Sequence, residues 1–130
     1  GASFGFSPAV RADGVTPAAD PHLPQPLWFK DYAVDVEQAD PDSMYTLYHA
    51  ALAIRQESLT ATRDTTAEQV DMGADVVAYR RAAVEGRTFT SVTNFGTAPV
   101  SLPEGSVVLT SGPLTPDGRL PTDTSAWVIK

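Results

Sequence analysis

Four carboxylates, Asp35, Glu37, Asp40 and Asp42, lie close together in the sequence and could perform acid–base catalysis or bind calcium. The ordered ligand spacing of an EF-hand loop is absent from this stretch. A second interpretation is that the acidic residues cap the helix that follows and are otherwise solvated. We favour the second interpretation, so the sequence predicts no catalytic residue in this cluster.

Two histidines, His22 and His49, are the remaining residues that could bind a transition metal. The chain has no cysteine, which excludes disulfides and cysteine-based metal sites. Neither histidine belongs to an H-E-x-x-H pattern, and no glycine-rich phosphate loop or G-x-S-x-G motif occurs. The sequence therefore predicts no metal site and no cofactor site.

One stretch, Asp40–Gln56, has the pattern of an amphipathic helix. Asp40 suits the N-cap, and Pro41 suits the first helical position, where its missing N–H costs nothing. Arg55 falls in the last turn, where a cation is favoured. Apolar residues recur at helical spacing and predict one buried stripe, formed by Met44, Leu47, Tyr48, Ala51 and Leu52.

Aromatic residues leave two functions without catalysis open. Trp28 and Trp127 could stack on a sugar ring, as in a free-standing carbohydrate-binding β module, but each is better explained by packing. Tyr45, Tyr48 and His49 could form the partner-binding face of a protein-interaction domain. The simpler interpretation places Tyr48 in a core, with the other two beside the stripe.

The charge of the chain argues against two classes of partner. Nine basic and 16 acidic residues give a formal net charge of −7 at pH 7. Nucleic acids and anionic membrane surfaces both attract clustered Lys and Arg. No apolar run reaches membrane-spanning length, and the first residues lack the pattern of a signal peptide. We therefore expect no nucleic-acid or membrane partner, and a cytoplasmic location.

Residues 1–39 hold five of the eleven prolines, which disfavours both helices and sheet ladders. The same segment carries many aromatic and apolar residues, which a flexible linker would lack. A long apolar loop is typical of a segment packed on a scaffold, and no scaffold is visible in this sequence. The pattern indicates a truncated protein, with one domain at residues 1–57 and a second at 58–130.

From Asp75 onward the apolar pattern changes to a period of two, which is typical of strands. Glu57–Glu68 forms a connector, and its threonines could begin a strand. Asn94, the one asparagine of the chain, is predicted to be a turn residue. An antiparallel sandwich or meander follows from the strands predicted at Asp75–Arg81, Arg87–Phe95, Ala98–Leu102, Ser106–Thr110 and Ser125–Ile129.

Several segments occur in an order that is familiar from one enzyme family. The matching segments are Phe4–Ser7, Leu23–Phe29, Val34–Gln38, Asp40–Tyr48 and Ala53–Arg55. Together they resemble the end of the catalytic barrel in α-glucosidases of the α-amylase superfamily (glycoside hydrolase family 13, oligo-1,6-glucosidase-like). Two departures are that His22 replaces the family's Trp before Leu-Pro and that Pro8–Asp20 is longer than the usual loop.

The resemblance implies an α+β fragment. A proline-rich loop and the last helix of a (β/α)8 barrel would be followed by a small antiparallel β-sandwich domain. The family's β-domain strands would correspond to Asp75–Arg81, Thr88–Phe95, Val100–Gly112 and Leu120–Val128. Its missing partner would be the catalytic barrel of the same protein, which takes about 250 residues when complete.

The resemblance also implies the parent's chemistry, which is retaining hydrolysis of an α-glucoside or oligosaccharide by two carboxylates. Those carboxylates lie at the ends of earlier barrel strands in the family, so none is expected in this chain. Relatives that make trehalose or act on sucrose share the architecture, and the tail does not choose the linkage. Alone, the fragment is expected to be inactive. Residues 1–56 are expected to expose apolar surface and to favour self-association.

Overall fold

The structure is a computed structural model that describes residues 26–130, with only the backbone of Leu27 and Lys30. Predictions for earlier residues, His22 among them, lie outside the described part of the chain. The packing of Cα atoms divides the described residues into two units, 26–49 and Ala50–Lys130. The boundary predicted between residues 57 and 58 stays a prediction.

The segment that precedes the long helix is helical rather than a loop. A 3₁₀ helix spans Leu27–Tyr32, and α1 spans Val34–Ala39. Pro26 begins the first of these, because its carbonyl accepts a hydrogen bond of 3.1 Å from the amide of Phe29. The buried Ala33 joins the two elements. The predicted loop was wrong here because no proline falls between Pro26 and Pro41, so nothing interrupts these turns.

The long helix α2 spans Met44–Leu59, so it begins and ends later than the predicted Asp40–Gln56. Ser43 caps it. Its Oγ accepts a 3.1 Å bond from the amide of Thr46, and its carbonyl accepts the first helical bond, 3.0 Å from Leu47. The predicted N-cap at Asp40 was wrong, because that carboxylate instead accepts from the amide of Asp42 at 2.9 Å and closes a turn before the helix.

Five strands form one antiparallel sheet in the second unit. In chain order they are β1 (Ala67–Gln69), β2 (Val76–Ala82), β3 (Thr88–Asn94), β4 (Ser106–Thr110) and β5 (Thr124–Ile129). Their order across the sheet is β1-β2-β3-β5-β4. The antiparallel β domain expected from the period-two pattern is therefore present, and four of its strands lie where that pattern predicts them.

One face of the sheet carries the core of the domain. Because side chains alternate along each strand, Ala78, Val92 and Ala126 stand side by side in register across β2, β3 and β5. They are buried together with Val76 and with Leu120, which comes from a loop. Half-buried residues from the connecting segments cover this face, namely Val70, Met72, Val100, Leu102 and Leu114.

Within residues 26–130 the strands form a single sheet and not the predicted two-sheet sandwich. The strand expected at Ala98–Leu102 contributes one isolated bridge, between Val100 and Leu120. Pro99 and Pro103 flank that bridge, and neither can donate a ladder hydrogen bond, so the pairing stops after one residue pair. The segment still covers the core face, which a second sheet would do in a full sandwich.

Candidate functional site

The carboxylate cluster lies at the junction of α1 and α2. There the side chain of Glu37 and the backbone carbonyls of Glu37 and Asp40 accept hydrogen bonds from the start of α2 and its cap. Glu37 Oε2 accepts a 3.2 Å bond from the amide of Tyr45, in the first turn of α2. Ser43 Oγ donates to the Glu37 carbonyl at 2.5 Å, and Thr46 Oγ1 donates to the Asp40 carbonyl at 2.9 Å. Asp35 and Asp42 are exposed. These contacts support a capping role for Glu37.

No group of three or more His, Cys, Asp or Glu side chains within residues 26–130 is placed to hold a metal ion. His49 is exposed, and its ring stacks on Tyr45 with centroids 6.2 Å apart and an interplanar angle of 18°. Among the described residues, no helix is long and apolar enough to cross a membrane.

Replacing Ser43 with alanine is expected to lower the free energy of unfolding by about 1 kcal/mol, because the amide of Thr46 loses its cap. Ser43→Thr, whose hydroxyl can both cap the helix and donate to the Glu37 carbonyl, should keep most of the stability. Thermal melts followed by circular dichroism at 222 nm would measure both variants. Equal loss in the two variants would contradict the capping role.

The apolar stripe predicted on α2 divides into two parts. Leu47 and Ala51 are half-buried. Met44, Tyr48 and Leu52, which follow one another at intervals of four residues, are 59%, 63% and 60% exposed. The prediction of one buried stripe is therefore wrong for these three. We call Met44, Tyr48 and Leu52 the open stripe. An apolar stripe of this length that is open on the surface is typical of a face that another protein segment covers.

A second group of exposed aromatic side chains precedes α1. Trp28 is 57% exposed, and its ring meets Phe29 and Tyr32 edge to face, at centroid distances of 4.4 and 5.8 Å. Tyr32 is 62% exposed. Trp28 therefore packs on neighbours in its own turn and still presents a large apolar area. Together with the open stripe, this cluster agrees with the apolar surface that was expected of residues 1–56.

Asn94 does more than the turn role that the sequence predicts. It is fully buried at the end of β3, where its Oδ1 accepts a 2.9 Å bond from the amide of Gly96. Its Nδ2 donates to the carbonyls of Ala98 at 3.0 Å and Leu120 at 3.1 Å. One side chain thus joins β3, the turn that follows and a loop 26 residues away. The local turn was predictable from an Asn two residues before a Gly, but the distant partner was not.

The second face of the sheet is only partly covered, and we call it the outer face. Tyr79, Ser91, Trp127 and Leu109 form one row across β2, β3, β5 and β4. Trp127 packs edge to face on Phe89 with centroids 5.2 Å apart, which supports its packing role. The other outer-face positions of β2, β3 and β5 are Val77, Arg81, Phe89, Thr93, Ser125 and Ile129.

A cleft of about 410 Å³ at the β2–β3 end of the sheet collects three arginines, a cluster that sequence reasoning missed. Arg80 pairs with Glu68 at 2.6 Å and Arg87 with Glu85 at 3.3 Å. Arg81 Nη2 donates to the Asp64 carbonyl at 3.2 Å. Acidic groups around the cleft offset its positive charge, so it has little attraction for an anion. Exposed pairs of this kind contribute about 0–1 kcal/mol each.

Asp117 lies in a hydrogen-bonded turn that stabilises the ionised form of its carboxyl group. The hydroxyl of Thr115 donates to Asp117 Oδ1 at 2.6 Å, and this bond holds the pKa of the carboxyl below its usual range. The ionised form is therefore favoured in the folded protein. The ionised Asp117 contributes fully to stability above the pKa of about 3.9 that an aspartate has in the unfolded chain. This contribution is lost as the pH falls through the lower pKa of Asp117 in the folded protein.

Thr115→Val is expected to raise the pKa of Asp117 toward the ordinary aspartate value, because the donor hydroxyl is removed. NMR titration of the carboxyl carbon would measure the change. Thr122→Val, at an exposed residue in a neighbouring loop, serves as the control and should leave this pKa unchanged. An Asp117 pKa that is the same in wild type and Thr115→Val would contradict the assignment.

Comparison with known proteins finds its matches among solved structures; no protein-family model and no curated protein matches the chain. The trehalulose synthase MutB from Pseudomonas mesoacidophila MX-45 matches with a TM-score of 0.67 and 25% identity, over 98% of this chain and 25% of that chain. A mutant isomaltulose synthase from Erwinia rhapontici NX5, in complex with sucrose, matches with a TM-score of 0.68 and 21% identity, over 97% of this chain and 24% of that chain.

A third match is the isomaltulose synthase SmuA from Protaminobacter rubrum, with a TM-score of 0.63 and 19% identity, over 86% of this chain and 22% of that chain. These likenesses support the resemblance of the chain to the α-amylase superfamily. The chain spans about a quarter of the length of the solved structures that it matches. Its β domain matches a C-terminal β domain of family 13 glycoside hydrolases, which is consistent with a C-terminal fragment of such an enzyme.

Proposed function

We propose that this chain is the C-terminal supporting part of an α-glucoside-active enzyme, with the catalytic carboxylates outside residues 1–130. The observation that carries the proposal is the extent of the structural match, 98% of this chain against 25% of the trehalulose synthase. A chain that corresponds throughout to one quarter of an enzyme is expected to be a portion of such an enzyme. Its α2 would then be the last helix of a (β/α)8 barrel, with the β domain after it.

The exposed apolar groups of the open stripe and of the segment before α1 support the same proposal. Met44, Tyr48 and Leu52 present one continuous stripe, and Trp28 with Tyr32 presents a second patch. Contiguous exposed apolar area of this kind marks a surface that another protein segment covers. The partner that we propose is the preceding barrel of the same polypeptide. Self-association of the isolated chain, through the same surface, stays a prediction.

The matched enzymes indicate only a class of substrate for the complete enzyme, not a particular sugar. One of them was crystallised with sucrose, an α-glucoside, and the sequence resemblance indicates α-glucosidases. We propose an α-glucoside or a short oligosaccharide as the substrate, with retention of configuration by a nucleophile and an acid–base carboxylate. Hydrolysis, transglucosylation and isomerisation share the covalent glycosyl-enzyme that this mechanism forms.

A covalent label would test the proposal directly. The complete polypeptide that contains this chain would be treated with a cyclophellitol-type epoxide of α-glucosidases and then mapped by peptide mass spectrometry. We expect one labelled carboxylate, on a peptide that precedes Gly1. A label on any carboxylate of residues 1–130 would overturn the proposal, as would α-glucoside turnover by a polypeptide of 13.8 kDa.

A further inference from the structure

Asp117 and Gly118 form the one Asp-Gly pair within residues 26–130, and such a pair can rearrange without a catalyst. The backbone nitrogen of the glycine attacks the carboxyl carbon of the aspartate, and loss of one water closes a five-membered succinimide ring. Addition of one water reopens the ring at either carbonyl, which gives aspartate or isoaspartate. The atoms therefore balance without an oxidant or a reductant. Glycine hinders the attack least, because it has no side chain.

The position of Gly118 in its turn favours this reaction. Asp117 and Gly118 are both exposed, and a Cβ atom at Gly118 would meet no atom within 4 Å. The φ angle of Gly118 is +78°, in the left-handed region that favours glycine. The backbone of the turn thus selects, directly after Asp117, the residue that makes this aspartate most reactive.

Hydrogen bonds restrain both reacting groups in the folded chain. The amide of Gly118, which would attack, donates to the carbonyl of Thr115 at 2.8 Å. The carboxyl of Asp117, which would be attacked, accepts from the hydroxyl of Thr115 at 2.6 Å. This second bond lowers the pKa of the carboxyl and so favours the carboxylate, whereas the ring closes from the neutral acid. Both bonds are therefore expected to slow the reaction.

Thr115 also joins the two ends of the turn. Its Oγ1 accepts a 2.8 Å bond from the amide of Arg119 and lies 3.0 Å from the Arg119 carbonyl. Its own amide donates to the same carbonyl at 3.0 Å. The side chain of Thr115 thus fixes the backbone beyond Gly118 as well as the carboxyl of Asp117.

We propose that Asp117 is a site of isoaspartate formation and that Thr115 sets the rate of this modification. The product carries one extra methylene in the backbone between Thr115 and Leu120. Leu120 is fully buried, and it exchanges hydrogen bonds of 3.0 and 2.8 Å with Val100. Modification therefore loosens the segment that supplies Leu120 to the core, and the aged chain should melt at a lower temperature than the fresh chain, as followed by circular dichroism.

The rate can be measured on the 130-residue chain at neutral pH and 37 °C, kept either in buffer or in concentrated guanidinium chloride. Trypsin then releases residues 88–119 as one peptide, in which Asp117 is the only aspartate. Electron-transfer fragmentation distinguishes isoaspartate from aspartate, and deamidation of Asn94 is recognised by its change in mass. We expect isoaspartate in both samples, forming at least about 10-fold more slowly in buffer, because two hydrogen bonds must open first.

Three variants separate the role of Thr115 from a general loss of stability. Thr115→Val removes the hydroxyl and should speed isomerisation in buffer by about 5-fold. Thr115→Ser keeps the hydroxyl and should remain within about twofold of wild type. Val92→Ala weakens the core in β3 without changing a group of this turn, and it should leave the rate in buffer unchanged.

The second Asp-Gly pair of the chain, Asp13 and Gly14, provides an internal reference on a separate tryptic peptide. In guanidinium chloride both pairs should isomerise at similar rates in wild type and in every variant. Folded wild type that isomerises at Asp117 as fast as the chain in guanidinium chloride would overturn the proposal. An unchanged rate in Thr115→Val, an equal acceleration in Val92→Ala, or a lack of isoaspartate at Asp117 in guanidinium chloride would each overturn it as well.

Discussion

Asn94→Leu is expected to lower the free energy of unfolding of the chain by about 3 kcal/mol. The change keeps the side-chain volume similar but removes three hydrogen bonds, to Gly96, Ala98 and Leu120. The bond to Leu120 is buried, and after its loss the Leu120 carbonyl would keep only the 3.0 Å bond that it accepts from the amide of Val100. Each of the three hydrogen bonds contributes about 1 kcal/mol to the free energy of unfolding, so their joint loss accounts for the expected change.

Urea unfolding followed by circular dichroism would measure this loss, with the slope of the transition checked for constancy. Thr97→Leu is the matched control, because it adds a leucine to the same turn at an exposed position and removes none of these bonds. That control should change stability by less than about 0.5 kcal/mol. A loss below about 1 kcal/mol for Asn94→Leu would contradict the role given to this side chain.

Tyr48→Gln/Leu52→Gln is expected to leave the stability of the 130-residue chain unchanged and to lower the stability of the complete polypeptide. In the 130-residue chain both side chains are exposed, so stability should hold within about 0.5 kcal/mol and self-association should fall. In the complete polypeptide, where the open stripe would be covered, each substitution should cost about 2 kcal/mol of burial. Turnover at 37 °C and the melting temperature should then both fall.

Glutamine is chosen because its helix propensity is close to that of leucine, so a change in α2 itself does not explain the result. Ala53→Gln is the matched control, since Ala53 is exposed on the opposite side of α2 from the open stripe. It should leave both proteins unchanged. Unaltered stability of the complete polypeptide with Tyr48→Gln/Leu52→Gln would show that nothing covers the open stripe.

The strands were the most predictable part of the fold. Period-two patterns between Gly, Pro and Asn turns placed β2, β3, β4 and β5 within one or two residues of where they lie. The sandwich was not predictable in detail, because Pro99 and Pro103 limit the segment between them to one bridge. β1 is only Ala67–Gln69 and lacks an apolar pattern of its own, so the threonines before it gave only a hint.

The start of α2 shows how local signals compete. Asp40 followed by Pro41 is a good capping pattern, and Ser43 three residues later is another. The structure uses Ser43 as the cap, and the bonds from Ser43 and Thr46 to the carbonyls of Glu37 and Asp40 fix the turn between the helices. Those bonds depend on α1, a short helix that sequence propensity did not indicate.

The open stripe and the outer face were beyond prediction for a different reason. Periodicity identifies an apolar face, as it did for Met44, Tyr48 and Leu52, but it does not say which segment covers that face. Asn94 is similar, because its type and the glycine two residues later indicate a turn, while the bond to Leu120 depends on the folded topology. Contacts between distant segments are the information that a single sequence carries least directly.

The central claim, that this chain supports a catalytic barrel and contains no catalytic carboxylate, is tested most directly by turnover. The purified 130-residue chain and the complete polypeptide would be assayed side by side with sucrose and p-nitrophenyl α-glucoside. We expect turnover by the complete polypeptide and none by the chain alone. Turnover by the 13.8 kDa chain would contradict it, because the reacting carboxylates would then have to lie within Gly1–Lys130.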